Sequence, residues 1–337
     1  TKPPEAASAT RSPLATPRAR YGSARKRRPR RTAAGRLREY ACPGARGFSW
    51  KAGCAFPKTM AEAASELVVF DLDGTLLNAQ SEISTFTQET LAALRARGIP
   101  YTVATGRARH GAADLLTGLG FDLPQAFKNG VLLWHPLEAL YSHHHHLRLD
   151  EIRSVLEAAQ REGLSPFIAT LEPGNTHRIY HAPELNETEQ ALAKAFRERD
   201  QVDLADLAQL PGDAEITSIS ALGPQDAVER LAAAVAPYPE LVAYAGDAFE
   251  GPGLGWIDIH HGAGTKGTAV EALKALLNVE RLVVFGDGSN DLSMFAVADE
   301  AYAPENARTE VRKAATETIG HHDADGVAHF LRDRFKL

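Results

Sequence analysis

The 337-residue sequence predicts an α/β protein: a Rossmann-like parallel sheet flanked by helices, with a second, α+β domain inserted into the chain. Three observations carry this expectation. Residues 67–70 and 282–285 are short, wholly apolar runs of the kind buried on both faces of a parallel sheet. These runs, and the strand-like 101–104, each end in a polar loop containing glycine: 71–75, 286–291 and 105–107. Residues 140–258 change character, with helices alternating with several short strands.

In chain order, strand 67–70 is followed by a helix with Leu91 and Leu94 on one face, which ends near Gly98. Strand 101–104 comes next. Within 140–258, helices are expected over 150–162, 187–199 and 225–236, and strands over 166–171, 178–181, 215–221 and 241–244. The chain then resumes with a helix over 266–277, carrying Val270, Leu273 and Leu277 on one stripe, and with strand 282–285. The expected division is a core of 60–139 and 259–337, a cap of 140–258, and a separate segment 1–59. In open α/β sheets, ligands bind at the carboxyl ends of the strands, so the three polar loops converge on one site.

Charge separates segment 1–59 from the rest. It holds 15 of the 37 Lys and Arg and two acids, or +13; the remaining 278 residues carry −19. Its Pro/Ala/Arg-rich composition, with the run Arg25-Lys26-Arg27-Arg28-Pro29-Arg30-Arg31, does not support a packed core. The expectation is a disordered extension foreign to the folded unit, with Met60 as the natural start; a nucleic-acid arm or a transit peptide is the competing reading. The acidic body itself would repel nucleic-acid phosphates. No run approaches the roughly 18 apolar residues of a membrane span. Cys42 and Cys54 make neither a disulfide framework nor a zinc site, and the cysteine-free body fits a reducing cytoplasm.

The chemistry lies in the loops. Asp71 and Asp73 stand two apart at a strand end, and Gly74 permits the turn that follows. Adjacent carboxylates repel unless compensated, and Mg²⁺ takes hard oxygen ligands of this kind. Asp287 and Asp291 add two more carboxylates. Lys266 opens a helix, where positive charge and dipole favour an anion, while Thr105 and Gly106 offer a hydroxyl and backbone donors. Four carboxylates, a Lys and a Thr describe a Mg²⁺-dependent phosphoryl-transfer site. Each loop alone is a common turn; the three in order, each after a strand, form a specific signal.

The sequence resembles the haloacid dehalogenase (HAD) superfamily over essentially all of 60–337. Asp71-Leu72-Asp73-Gly74-Thr75 is similar to its first motif and Thr105 within Ala104-Thr105-Gly106-Arg107 to its second. Lys266 matches the third motif and Gly286-Asp287-Gly288-Ser289-Asn290-Asp291 the fourth. Asn129-Gly130, Met294 and Asp325-Gly326-Val327-Ala328 resemble the Cof-type subgroup. Only 34 residues separate Asp71 from Thr105, whereas 161 separate Thr105 from Lys266, which places the cap where type II caps sit, in the IIB form. The resemblance implies Asp71 as nucleophile and Asp73 as general acid and base. It implies Mg²⁺ on Asp71, the Asp73 main-chain carbonyl and Asp287, with Asp291 supporting. It also implies phosphate binding by Thr105, Gly106, Lys266 and Asn290.

The expected function is hydrolysis of a small phosphorylated metabolite, such as a sugar phosphate, through an aspartyl-phosphate. A phosphomannomutase-like mutase is the alternative within the family. Arg107 and Arg178 are candidate substrate contacts. The runs His143–146, His260-His261 and His321-His322 read as polar structure, because successive strand residues point to opposite faces.

Overall fold

Residues 66–142, 145–198, 202–248 and 251–337 are described by a computed structural model; segment 1–59 lies outside them, as do His143 and His144. β1 (Glu66–Phe70) is buried from Leu67 onward, and α1 (Thr85–Ala96) starts at Ser84, whose hydroxyl accepts from the Thr87 N–H at 3.0 Å. β2 (Tyr101–Val103) and α2 (His110–Leu116) follow. A small antiparallel sheet absent from the sequence reading comes next: β3 (Gln125–Phe127), β4 (Leu132–His135) and β5 (Leu140–Ser142).

The inserted portion runs through α3 (Arg153–Arg161), β6 (Phe167–Glu172), β7 (Thr176–His181), α4 (Glu187–Glu198), β8 (Asp203–Asp206), β9 (Ile216–Pro224), α5 (Gln225–Val235), β10 (Leu241–Asp247) and β11 (Leu254–His261). The chain returns through α6 (Lys266–Leu277), β12 (Arg281–Phe285), α7 (Leu292–Val297), β13 (Glu300–Pro304), α8 (Thr309–Ala314), β14 (Glu317–Ile319) and α9 (Gly326–Phe335). No helix among the described residues is long and apolar enough to cross a membrane.

The core sheet is parallel, in the order β14-β13-β12-β1-β2. Phe70 and Phe285 are register partners, so the loops after β1 and β12 leave the sheet side by side. Apolar clusters cover both faces: Val68, Phe70, Val283 and Phe285 on one, Leu67, Val69, Leu282 and Val284 on the other. That two-sided burial is why the strands read as continuous apolar runs.

The inserted sheet has the order β10-β11-β9-β6-β7-β8, antiparallel except for β7 against β8. Its strands alternate. Ile168, Ile219, Ile257 and Ile259 pack against Val155 of α3 and Val228 and Leu231 of α5. On the opposite face, Phe167, Ala169 and Ile179 are covered by Ala193 and Phe196 of α4. The remaining part of that face, on β9, β11 and β10, is turned toward the polar loops of the core. The strand β11 continues to His261, past the 258/259 division read from the sequence.

Buried imidazoles tie the inserted portion to the rest. His177 Nε2 lies 2.7 Å from the Tyr141 hydroxyl, with the His110 ring 5.0 Å away. Burial, then the charges of His110, Lys128 and Arg109, push the His177 pKa down to about 3; burial pushes His260 down to about 4. The folded protein holds these rings neutral while the unfolded chain protonates them near 6.5, so stability falls as pH drops from 6.5 toward the folded values. Thermal melts between pH 7 and 4 should show a falling Tm, with a shallower slope in His177→Gln. An identical slope in the variant would remove His177 as a source of the acid sensitivity.

Candidate active site

The first motif is shaped by register and one glycine. The Asp71 N–H donates to Phe285 O at 2.9 Å, which continues the β1–β12 ladder and leaves the Asp71 side chain at the sheet's carboxyl edge. Gly74 has φ +76°, and a Cβ there would lie 2.5 Å from Asp287 Oδ2. Only glycine permits both that conformation and the close approach of the two acidic loops. Asn306 Nδ2 holds the Gly74 carbonyl at 2.7 Å, and the Thr75 hydroxyl donates to Asp287 Oδ1 at 3.1 Å.

The fourth motif is organised by Asp291. Its Oδ2 accepts from the N–H groups of Asp287 at 2.9 Å and Gly288 at 2.8 Å, folding the 286–288 turn around a buried carboxylate. Its Oδ1 meets Lys266 Nζ at 2.6 Å. Lys266 begins α6, behind the N-cap Thr265, and its Nζ also contacts Asp71 Oδ1 at 2.5 Å. The ammonium is fully buried and is not among the residues that line the cavity described below; it neutralises the two carboxylates from within the core. Burial by itself would lower the Lys266 pKa, but Asp291 and Asp71 more than offset it and raise it.

Three carboxylates share this one ammonium. Ligand oxygens of Asp71, Asp287 and Asp291 lie within 4.8 Å of one another. Burial pushes Asp71 well above the usual carboxylate range against the pull of Lys266, and burial with the Asp291 charge raises Asp287 to about 6. A hard-oxygen donor set short of positive charge suits a divalent cation. His321, His322 and Asp323 also gather their ligand atoms within 4.8 Å, but the Nδ1 atoms of the two imidazoles are engaged by Asp323 N and Leu77 O.

The second motif places Arg107 against Asp73. The guanidinium donates to both carboxylate oxygens, at 2.7 and 2.5 Å, and to Gly111 O at 2.9 Å. A two-point fork of this kind fixes orientation as well as charge. Thr105 is buried: its N–H donates to Ala126 O at 3.0 Å and its hydroxyl oxygen accepts from Arg107 N at 3.1 Å. Gly106 and Asn290, by contrast, line the cavity.

That cavity, about 490 Å³, lies between the core loops and the uncovered face of the inserted sheet. Asp71, Asp73, Arg107 and Asp287 form its floor, and Ser220, Leu222, Tyr244, Trp256 and Asp258 its roof. Arg178 is not among the lining residues. It is held on β7 by Glu172 at 3.0 Å and Asp203 at 4.0 Å, apart from the cavity lining. Asn129 was missed as a site residue. It sits at φ +57°, its N–H donates to Thr105 O at 2.9 Å, and its Oδ1 accepts from Asn290 Nδ2 at 2.9 Å, so it joins the second and fourth motifs. The Asn-Gly pair following a strand was the available signal. Arg308 and Lys128 also line the cavity and had no such signal.

A family profile of haloacid dehalogenase-like hydrolases matches residues 68–331. The chain belongs to that family. This HAD hydrolase is 25% identical over 283 residues to the 5-amino-6-(5-phospho-D-ribitylamino)uracil phosphatase YitU of Bacillus subtilis, covering 82% of this chain and 100% of the relative. It is 26% identical to the pyridoxal phosphate phosphatase YbhA of Escherichia coli, covering 79% of this chain and 97% of the relative. A solved subclass IIB sugar phosphatase superposes with a TM-score of 0.65 at 19% identity, covering 80% of this chain and 99% of its own, a likeness of fold. The curated relatives place this HAD hydrolase among the phosphatases, and its fold is the parallel core with an α+β cap.

Removing the shared ammonium tests the electrostatic frame. Lys266→Met leaves Asp71 and Asp291 buried without their partner and should cost about 3–5 kcal/mol in urea unfolding. A loss below about 1 kcal/mol would mean that the carboxylates are neutralised some other way.

Proposed function

We propose that this HAD hydrolase is a Mg²⁺-dependent phosphomonoesterase acting on small phosphorylated metabolites, with sugar phosphates as the leading class. The observation that carries the reading is the grouping of Asp71, Asp287 and Asp291 around one buried ammonium, with Asp73 held beside them at the cavity floor. Asp71 and Asp287, with the Asp73 main-chain carbonyl, would hold the cation, and Asp291 would support the site by shaping the loop. Bound Mg²⁺ supplies charge neutralisation at the phosphoryl oxygens.

The residues divide the reaction into two displacements. The Asp71 carboxylate attacks phosphorus as the ester P–O bond breaks, and Asp73 gives its proton to the leaving alkoxide. Water then attacks the aspartyl-phosphate while Asp73, now a carboxylate, takes the water's proton; phosphate leaves and Asp71 is restored. Arg107 positions Asp73 through its two-point contact. Gly106 and Asn290 bind the phosphoryl group at the cavity surface, Thr105 supports that loop, and Lys266 balances the charge below. The cap closes the site against water. The substrates for which those relatives are named, a ribitylamino-uracil phosphate and pyridoxal phosphate, support a site that reads small monoesters of differing leaving group.

Asp71→Asn should abolish Mg²⁺-dependent release of phosphate with the circular dichroism spectrum unchanged, and EDTA should silence the unaltered enzyme. Turnover retained in the variant would remove Asp71 as nucleophile, and sugar-phosphate isomerisation without phosphate release would point to the mutase instead. Asp73→Ala should slow hydrolysis of alkyl phosphates more than that of aryl phosphates, whose leaving groups need less protonation. Equal losses would count against the acid role.

A further inference from the structure

The cavity roof carries a feature that the two-step chemistry does not use. Gly246 on β10 is the register partner of Trp256 on β11, and the indole lies over its bare backbone. A Cβ on Gly246 would stand 3.1 Å from Trp256 Nε1 and 3.1 Å from Arg308 Nη2. Trp256 belongs to the cap; Arg308 belongs to the core, where its N–H donates to Asp287 O at 3.1 Å. Two hydrogen-bond donors, one of them charged, therefore converge beside a glycine from opposite sides of the cavity.

Both line the cavity, and neither the Arg308 guanidinium nor the Trp256 indole N–H donates to an acceptor among the described residues. Arg107, the other guanidinium of the lining, is committed to Asp73. Adding a side chain at position 246 would push the donors apart, so the absence of a Cβ there keeps their meeting point clear. Two cap acids line the same cavity: Asp258, which accepts from the Ser220 hydroxyl, and Asp247, next to Gly246 on β10.

We infer that Arg308 and Trp256 form a leaving-group subsite for a second oxyanion. The preferred substrate is thus a phosphate monoester whose leaving group also carries a carboxylate or a further phosphate. This rests on the phosphatase reading and narrows it. The guanidinium supplies charge and the indole N–H direction, and a substrate with a neutral hydroxyl at that point leaves the charged guanidinium poorly satisfied.

A matched pair tests it: 6-phosphogluconate against glucose 6-phosphate, which differ in carboxylate against neutral ring. The enzyme should favour the acid by about tenfold or more in kcat/KM. Arg308→Ala should bring that ratio to within about twofold, Arg308→Lys should keep part of it, and Trp256→Phe should reduce it severalfold. The ratio does not depend on the fraction of protein folded, so a poorly folding variant still reports. A ratio near one in the unaltered enzyme, or one unchanged in Arg308→Ala, overturns the inference. Hydrolysis of p-nitrophenyl phosphate tests the phosphatase reading separately. If that fails, calorimetric binding of the pair to Asp71→Asn decides the subsite: tighter binding of the acid supports it and equal binding overturns it.

Discussion

Lys266 Nζ sits between Asp71 and Asp291 at 2.5 and 2.6 Å, without exposure to solvent, and the geometry of the catalytic edge follows from that contact. Buried charges are tolerated only when paired and hydrogen-bonded, so the ammonium and the two carboxylates must be placed together or not at all. The three come from the start of α6, the end of β1 and the loop after β12. Satisfying them aligns a helix with two adjacent strands. Gly267, next to Lys266, lets α6 close on α7: a Cβ there would lie 2.5 Å from Ser293 O.

From that frame the acidic loops inherit their spacing. Asp291 spends one oxygen on Lys266 and the other on two backbone N–H groups, so its charge shapes the turn that presents Asp287. Gly74 then brings the first motif against Asp287. The carboxylates are held close without enough positive charge nearby, an arrangement that suits a cation and is maintained by the packing of the core. The cost of that arrangement is borne by the parallel sheet beneath it, buried on both faces.

Chemistry and selection occupy different layers. The floor comes from core loops that the parallel sheet holds rigidly. The roof comes from the part of the cap sheet that α4 leaves uncovered, where Leu222, Tyr244, Trp256 and Asp258 look into the cavity. Period-two alternation turns Ile219 and Ile259 into the cap core and leaves Trp256 and Asp258 facing the cavity, so roof residues can vary without disturbing that core. Arg308 is the exception, a core residue that reaches the roof beside Gly246.

Much of this was legible in the residues alone. The core strands announce themselves as unbroken apolar runs because both faces are buried, and α6 begins and ends where its apolar stripe over 266–277 places it. The order of the acidic loops, the spacing that leaves room for a cap, and the residue types of a phosphoryl-transfer site are likewise properties of the chain. The three-residue strands β3, β5 and β14 are not, since their pairing and not a strand-like run such as that of β2 defines them. Nor is β11, which follows Gly251-Pro252-Gly253 and carries polar residues on the face that meets the cavity. Tertiary structure alone decided that Lys266 is buried between Asp71 and Asp291, that Arg178 is paired with Glu172, and that Asn129 and Arg308 line the cavity. The reason is physical: periodicity reports which side of an element is buried, while a polar side chain's role depends on partners such as Asp71 and Lys266, 195 positions apart and adjacent only after folding.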